Sequence, residues 1–253
     1  MSRAAGLAAF IMCAVALAAT PAQAFRPSAT WVCAKVMEKA GARGTTSLKV
    51  DATTSAWDLT GKAIIAGAPE RVWLQAPGKL RRELDTDGGT TVEVRADGRL
   101  LVKTPGKPDS SVKQGMDLLA ELMTASAGQE AAGAAQKLLQ GIKGLGINPE
   151  VVSYARFDGR VAYLVGSKPW ETDKPQIWFD KDLMVPLRLV TFIKDGGNTV
   201  RIDLRYLGWG SPVGGAWYPQ AVEVWRGDAL VRRAVTEALD RNAAIDASLF
   251  ELR

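Results

Sequence analysis

The sequence predicts an α+β protein: one curved antiparallel sheet of about ten or eleven strands, left partly open and covered by helices. Three observations point there. Short segments that alternate apolar and polar residues recur along most of the chain, with glycine-containing turn signals between them. These segments follow one another without a helix between each pair, which argues against a parallel α/β fold. One long interruption, residues 111–147, carries a helical period of apolar residues instead. A sheet of this size must hide its apolar face by closing into a barrel, by stacking as a sandwich, or by staying open under helices. The place of the interruption, in the middle of the strand order, favours the last.

The chain opens as an export signal. Arg3 supplies a short positive region, residues 4–19 are an alanine-rich apolar run, and Ala22-Gln23-Ala24 has the small-x-small pattern of a cleavage site. Cleavage after Ala24 is expected to leave residues 25–253 as a single domain, since no linker, repeat or low-complexity segment divides them. The run is short for a bilayer span, and Cys13 and Cys33 both lie away from the position a lipid-modified cysteine needs. A soluble periplasmic protein, expected to be a monomer, is the reading. Loss of Arg3 with the leader takes the net charge from +5 to +4. In an exported chain that modest excess points to acidic headgroups or acidic protein surfaces, and away from nucleic acid. Cys33 is then the one remaining cysteine, so no intramolecular disulfide forms, and it reads as a small buried apolar residue.

Residues 25–42 are expected to be helical, started by Pro27 and Ser28, with Trp31, Ala34 and either Val36 or Met37 turned inward. The period then becomes two. Leu48, Val50 and Ala52 alternate with Lys49 and Asp51, and Val72 and Leu74 with Arg71, Trp73 and Gln75. Leu80, Arg82 and Leu84 alternate with Arg81 and Glu83, and Val92 and Val94 with Glu93 and Arg95. Asp87-Gly88-Gly89 and Asp97-Gly98 mark hairpin turns between them. Strands resume over residues 151–157 and 160–165, about Asp158-Gly159, and continue at 177–179, 187–193 and 200–207. A last hairpin, 221–225 with 230–237, turns at Gly227-Asp228, and Ile245, Leu249 and Phe250 fix the terminus.

Within residues 111–147, Val112, Met116, Leu119 and Met123 fall at helical spacing, widened by Leu118 and Leu122. Ser111 and Gln114 have the spacing of a capping box. After Ala127-Gly128 a second stripe runs through Ala131, Ala135, Leu138, Ile142 and Leu145, weakened by Gly141, Gly144 and Gly146. Two greasy helices over one face of a sheet either complete a core or cover a cavity; periodicity reports burial, not what is buried.

Catalysis has little support. There is no histidine in the 253 residues, which removes Ser-His-Asp and Cys-His sites and histidine-ligated zinc. Asp180 with Asp182, and Asp85 with Asp87, are spaced to share a strand face, but their Gly and Lys neighbours read as turn chemistry. The glycines of residues 208–215 lack the strand-to-helix setting of a phosphate loop. No enzyme activity, metal or cofactor is expected. Trp209, Trp217 and Trp225 either pack into the core or form an aromatic rim.

At this point the residues resemble a family. Val72-Trp73-Leu74-Gln75-Ala76-Pro77-Gly78-Lys79-Leu80-Arg81-Arg82-Glu83 is similar to a strand pair of periplasmic outer-membrane lipoprotein carrier-like (LolA/LolB-like) domains, and Asp97-Gly98-Arg99-Leu100-Leu101 to the turn and strand after it. Trp178-Phe179-Asp180 with Pro186-Leu187-Arg188-Leu189, Trp217-Tyr218-Pro219, and Ile245-Asp246-Ala247-Ser248-Leu249-Phe250 resemble the family's second half and ending. The resemblance implies an incomplete β-barrel with an apolar cavity for lipid or lipoprotein acyl chains and a helical lid. With the helical stripes and strand alternation above, the expected cavity or lid residues are Leu74, Leu84, Met116, Leu119, Met123, Leu138, Ile142 and Trp178, and Arg81 and Arg82 are candidate headgroup or lid contacts. The resemblance also implies transfer toward the outer membrane, with inner- or outer-membrane proteins as partners; a periplasmic sensor or adaptor that binds a protein is the alternative. One departure matters: the basic residue that precedes the proline in the carrier is Ala76 here, so that latch does not carry over.

Overall fold

The structure, a computed structural model, describes residues 27–107, 110–113, 119, 122 and 131–251. The leader and the segment around Met116 and Met123 therefore lie outside the described residues. Helix α1 (Ala29–Ala42) begins as expected: the Ser28 hydroxyl accepts a hydrogen bond from the Trp31 amide at 3.2 Å, satisfying one of the free donors of the first turn. Its buried face is Ala29, Val32, Cys33, Val36, Met37 and Ala40. The phase is thus one residue off the expected one, and Ala34 is exposed.

Five strands follow: β1 (Ser47–Trp57), β2 (Ala63–Gln75), β3 (Lys79–Thr86), β4 (Gly89–Ala96) and β5 (Arg99–Lys103). Next comes β6 (Ser110–Lys113), a correction to the expected capping box at Ser111: this segment pairs with β5, Leu100 opposite Val112, and is not the start of a helix. Helix α2 (Ala131–Gly144) runs through Gly141 and ends where Gly146 takes a left-handed φ of 76°, the conformation glycine reaches without steric cost. Then come β7 (Val152–Phe157), β8 (Arg160–Val165), β9 (Gln176–Asp180), β10 (Pro186–Asp195), β11 (Asn198–Leu207), β12 (Ala221–Arg226) and β13 (Ala229–Arg241), and a last 3₁₀ turn, Ala247–Phe250. Asp97-Gly98 and Asp158-Gly159 have positive φ at both residues, as tight turns between right-twisted strands require.

All thirteen strands form one antiparallel sheet in the order β6-β5-β4-β3-β2-β1-β13-β12-β11-β10-β9-β8-β7, two or three more than the sequence pattern gives. Each half of the chain is a meander, and the halves join where β1 pairs with β13. The two edges are β6 and β7, the strands on either side of the helical insert. In the chain the insert follows one edge strand and precedes the other, and its described residues pack against one face of the sheet.

The core shows which face that is. Pairing places Leu48, Val50, Val72, Leu74 and Leu80 on one face, and they share a single buried cluster with Val32 and Val36 of α1 and with Leu138 and Ile142 of α2. On the far side of the sheet Trp31 meets Tyr163 edge-on at 5.6 Å between ring centroids, which places Tyr163 and its neighbour Phe179 on the same concave face. The opposite, convex face carries the C-terminal turn, where Phe250 is buried and Arg81 Nη1 donates to the Leu249 carbonyl at 3.0 Å.

Candidate functional site

The concave face has two regions. Under α1 and α2 it is apolar and closed. Leu74, Leu119, Leu138 and Ile142 all lie in that buried cluster, Leu119 and Leu122 being helical residues of the insert. Toward the other end of the strands the same face continues through Ile202, Leu204, Val222 and Val224, all only half-buried. Leu84 is half-buried there too, beside a cleft of about 840 Å³ that opens between residues 63–69 and 84–88.

Between the two regions runs a row of charges that sequence reasoning missed as a unit. It crosses five adjacent strands on the concave face: Arg232 of β13, Thr54 of β1, Glu70 of β2, Arg82 of β3, then Glu93 and Arg95 of β4. Glu70 is 3% exposed. Its carboxylate accepts from the Thr54 hydroxyl and from Arg232, and Arg82 Nε lies 3.2 Å away. Arg82 Nη1 donates to Glu93 at 2.9 Å and Arg95 Nε to Glu93 at 2.6 Å. Burial alone would raise the pKa of Glu70, but the Arg232 and Arg82 guanidiniums with the Thr54 hydroxyl hold it below the usual 4.5. Burial acts on Glu93 in the same sense and is outweighed by Arg82 and Arg95. A buried carboxylate is tolerated in this way only because it is paired and hydrogen-bonded.

Two expected site residues are placed elsewhere. Trp178 pairs with Leu164 and Arg188, so it points to the convex face, opposite to Ile177 and Phe179. There it lies 5.5 Å from the Arg188 guanidinium, and its indole N–H donates to Gln176 at 2.9 Å. Arg188 in turn makes two hydrogen bonds to Asp203, which is fully buried. Arg81, on the convex face, ties down the C-terminal turn and Glu83. Of the two arginines, Arg82 is the one inside the hollow.

Other expectations resolve as local structure. The Asp180 carboxylate accepts from the Asp182 and Leu183 amides and pairs with Arg160 at 3.0 Å, which is turn chemistry. Asp85 is held by Arg71 at 3.0 Å and by the Thr90 hydroxyl. Of the three tryptophans, Trp209 is buried with its indole N–H on the Pro186 carbonyl, while Trp217 and Trp225 are half-buried and stack under Arg241 and Arg205 respectively. Among the described residues no group of three acidic, histidine or cysteine side chains is placed to hold a metal, and no helix is long and apolar enough to cross a membrane.

Cys33 is buried on α1, and burial pushes its thiol up to about 12. Iodoacetamide at mildly alkaline pH is therefore expected to leave it untouched in the folded protein and to modify it readily once the chain is unfolded. Equal rates in the two states would show that α1 does not shield it.

An open antiparallel sheet with helices held in its hollow defines a class, the half-barrels. Among solved structures the chain is similar to a DUF1329 family protein from Desulfovibrio piger, with a TM-score of 0.53 and 15% identity over 88% of this chain and 96% of that one. It is similar also to a putative outer membrane lipoprotein-sorting protein domain from Vibrio parahaemolyticus, with a TM-score of 0.52 and 10% identity over 86% and 95%. The likeness is one of fold, and it is the fold that the strand motifs imply. No family model matches the sequence, and no curated protein matches it.

Proposed function

We propose that this chain is a periplasmic carrier that holds lipid or lipoprotein acyl chains on its concave face for transfer toward the outer membrane. The observation that carries the reading is the position of the insert. It is joined to the sheet at both edges, β6 and β7, and its Leu119, Leu138 and Ile142 cover an apolar wall that would otherwise be bare. Burying those three side chains contributes about 5–9 kcal/mol. An acyl chain gains about 0.8 kcal/mol for each methylene it buries, on the order of 10 kcal/mol in all before the costs of binding. Comparable gains let helix and acyl chain exchange places on one wall. Arg82, at the margin of that wall, takes the headgroup role. The half-barrel fold shared with a lipoprotein-sorting domain supports the reading.

The mature protein purified from a membrane-containing lysate is expected to carry extractable phospholipid or acylated peptide, detected by mass spectrometry. After delipidation it is expected to bind a fluorescent fatty-acid analogue. Preparations free of lipid that also fail to bind the analogue would remove the carrier reading.

A further inference from the structure

We infer that the cleft between β2 and β3 receives an extended peptide segment of a partner polypeptide, which adds a strand to the free edge of β2. This goes beyond the carrier reading and needs neither a lipid nor a displaced helix.

The site comes from a fork in the sheet. Strand β2 stays paired with β1 as far as Ala63 opposite Trp57, but its pairing with β3 stops at Glu70 opposite Leu84. Pro69, the next residue on β2, has no N–H to give to a ladder. Two register shifts in the β1–β2 pairing, on either side of Ala56, then mark the stretch where β2 runs beyond β3. Residues 63–66 are left with one edge that no strand among the described residues occupies. They are an extended run of about 13 Å of backbone; Gly67 closes it with a φ of 68° and donates its N–H to the Ser55 hydroxyl at 3.2 Å. Such an edge presents unpaired amides and carbonyls at alternate residues, the groups that recognise an incoming strand.

The walls select the occupant. The edge is recessed in the 840 Å³ cleft, faced by the β3–β4 hairpin at residues 84–88. A chain end or an unfolded loop can enter between these walls, whereas a second folded copy cannot bring its own recessed edge alongside. Ile64 is 65% exposed and Ala63 and Ala66 are exposed, a surface that suits apolar side chains on the incoming strand. On the facing wall Asp85 is engaged by Arg71, while Asp87 at the hairpin tip has no ion-pair partner among the described residues. A basic residue in the peptide answers Asp87.

The test uses the full mature chain and a synthetic eight-residue peptide that alternates valine and threonine around one central lysine. Hydrogen exchange at residues 63–66 is expected to slow by about tenfold or more when the peptide is present. Asp87→Lys, a change at an exposed tip, is expected to weaken the lysine peptide by about fivefold and to favour its glutamate counterpart instead. Unchanged exchange at residues 63–66 with peptide in excess would overturn the inference, as would protection that grows with protein concentration in the absence of peptide, the mark of self-association. Equal affinity of Asp87→Lys for the two peptides would overturn the charge assignment. Binding of the fluorescent fatty-acid analogue, followed on the same samples, reports the carrier reading separately.

Discussion

Replacing Glu70 with alanine is expected to lower the free energy of unfolding by about 3 kcal/mol, the low end of the cost of breaking a buried ion pair. The carboxylate is buried, so its removal leaves Arg82 and Arg232 without their shared counter-charge; their side chains are 26% and 23% exposed, which moderates the penalty. Urea denaturation followed by the fluorescence of the eight tryptophans measures it. The acid response gives an independent readout. Because arginines hold Glu70 below 4.5 in the folded protein, its contribution is fully present above that pH and is lost as pH falls through the lower, folded value. Wild-type stability should therefore decline below about pH 4.5, and Glu70→Ala should show a shallower decline. Replacing Glu70, Arg82 and Arg232 together with leucines should cost less than removing Glu70 alone, because Glu93 loses Arg82 but keeps Arg95 and no charge is left wholly unpaired. A loss under about 1 kcal/mol for Glu70→Ala would show the row of charges to be solvated.

Some of this site was legible in the chain and some was not, for identifiable reasons. Arg82 stands between Leu80 and Leu84 in an alternating run, so period two alone turns it inward with them. Its partners are set by register. Arg232 lies 162 residues from Glu70, and only the pairing of β1 with β13 brings them across one strand. The turns at Asp97-Gly98 and Asp158-Gly159 were legible because few residues accept positive φ. Strand β6 was not, because Val112, Met116 and Leu119 also fit a helical period and the choice is made by a neighbour, β5, that local pattern does not contain. Trp178 sits in a strand buried on both faces, where parity no longer separates inside from outside. In α1 the aromatic Trp31 drew the expected stripe off the one that Val32, Cys33, Val36 and Met37 form.

Leu138→Ala is expected to destabilise the protein by about 2–5 kcal/mol and, in the same protein, to raise its affinity for an acyl chain. Leu138 is 2% exposed and packs in the cluster that includes Leu74 and Leu80 of the sheet. If helix and ligand compete for that wall, whatever the helix loses by truncation is also subtracted from the cost of lifting it. At about 1.4 kcal/mol for each factor of ten, the lower bound of the destabilisation already corresponds to more than a tenfold gain in affinity. Leu74→Ala removes a side chain of the wall itself, which is equally buried. It should cost stability by a similar amount, but it takes contacts from helix and ligand alike, so the ligand gains nothing and loses part of its seat. The two variants therefore share a sign in denaturation and differ in sign in a titration with the fluorescent fatty-acid analogue. Were both to weaken binding, the helix would be a support for the ligand's seat and not its competitor. A wall that bound its ligand beside α2 instead of under it would leave the affinity of Leu138→Ala unchanged.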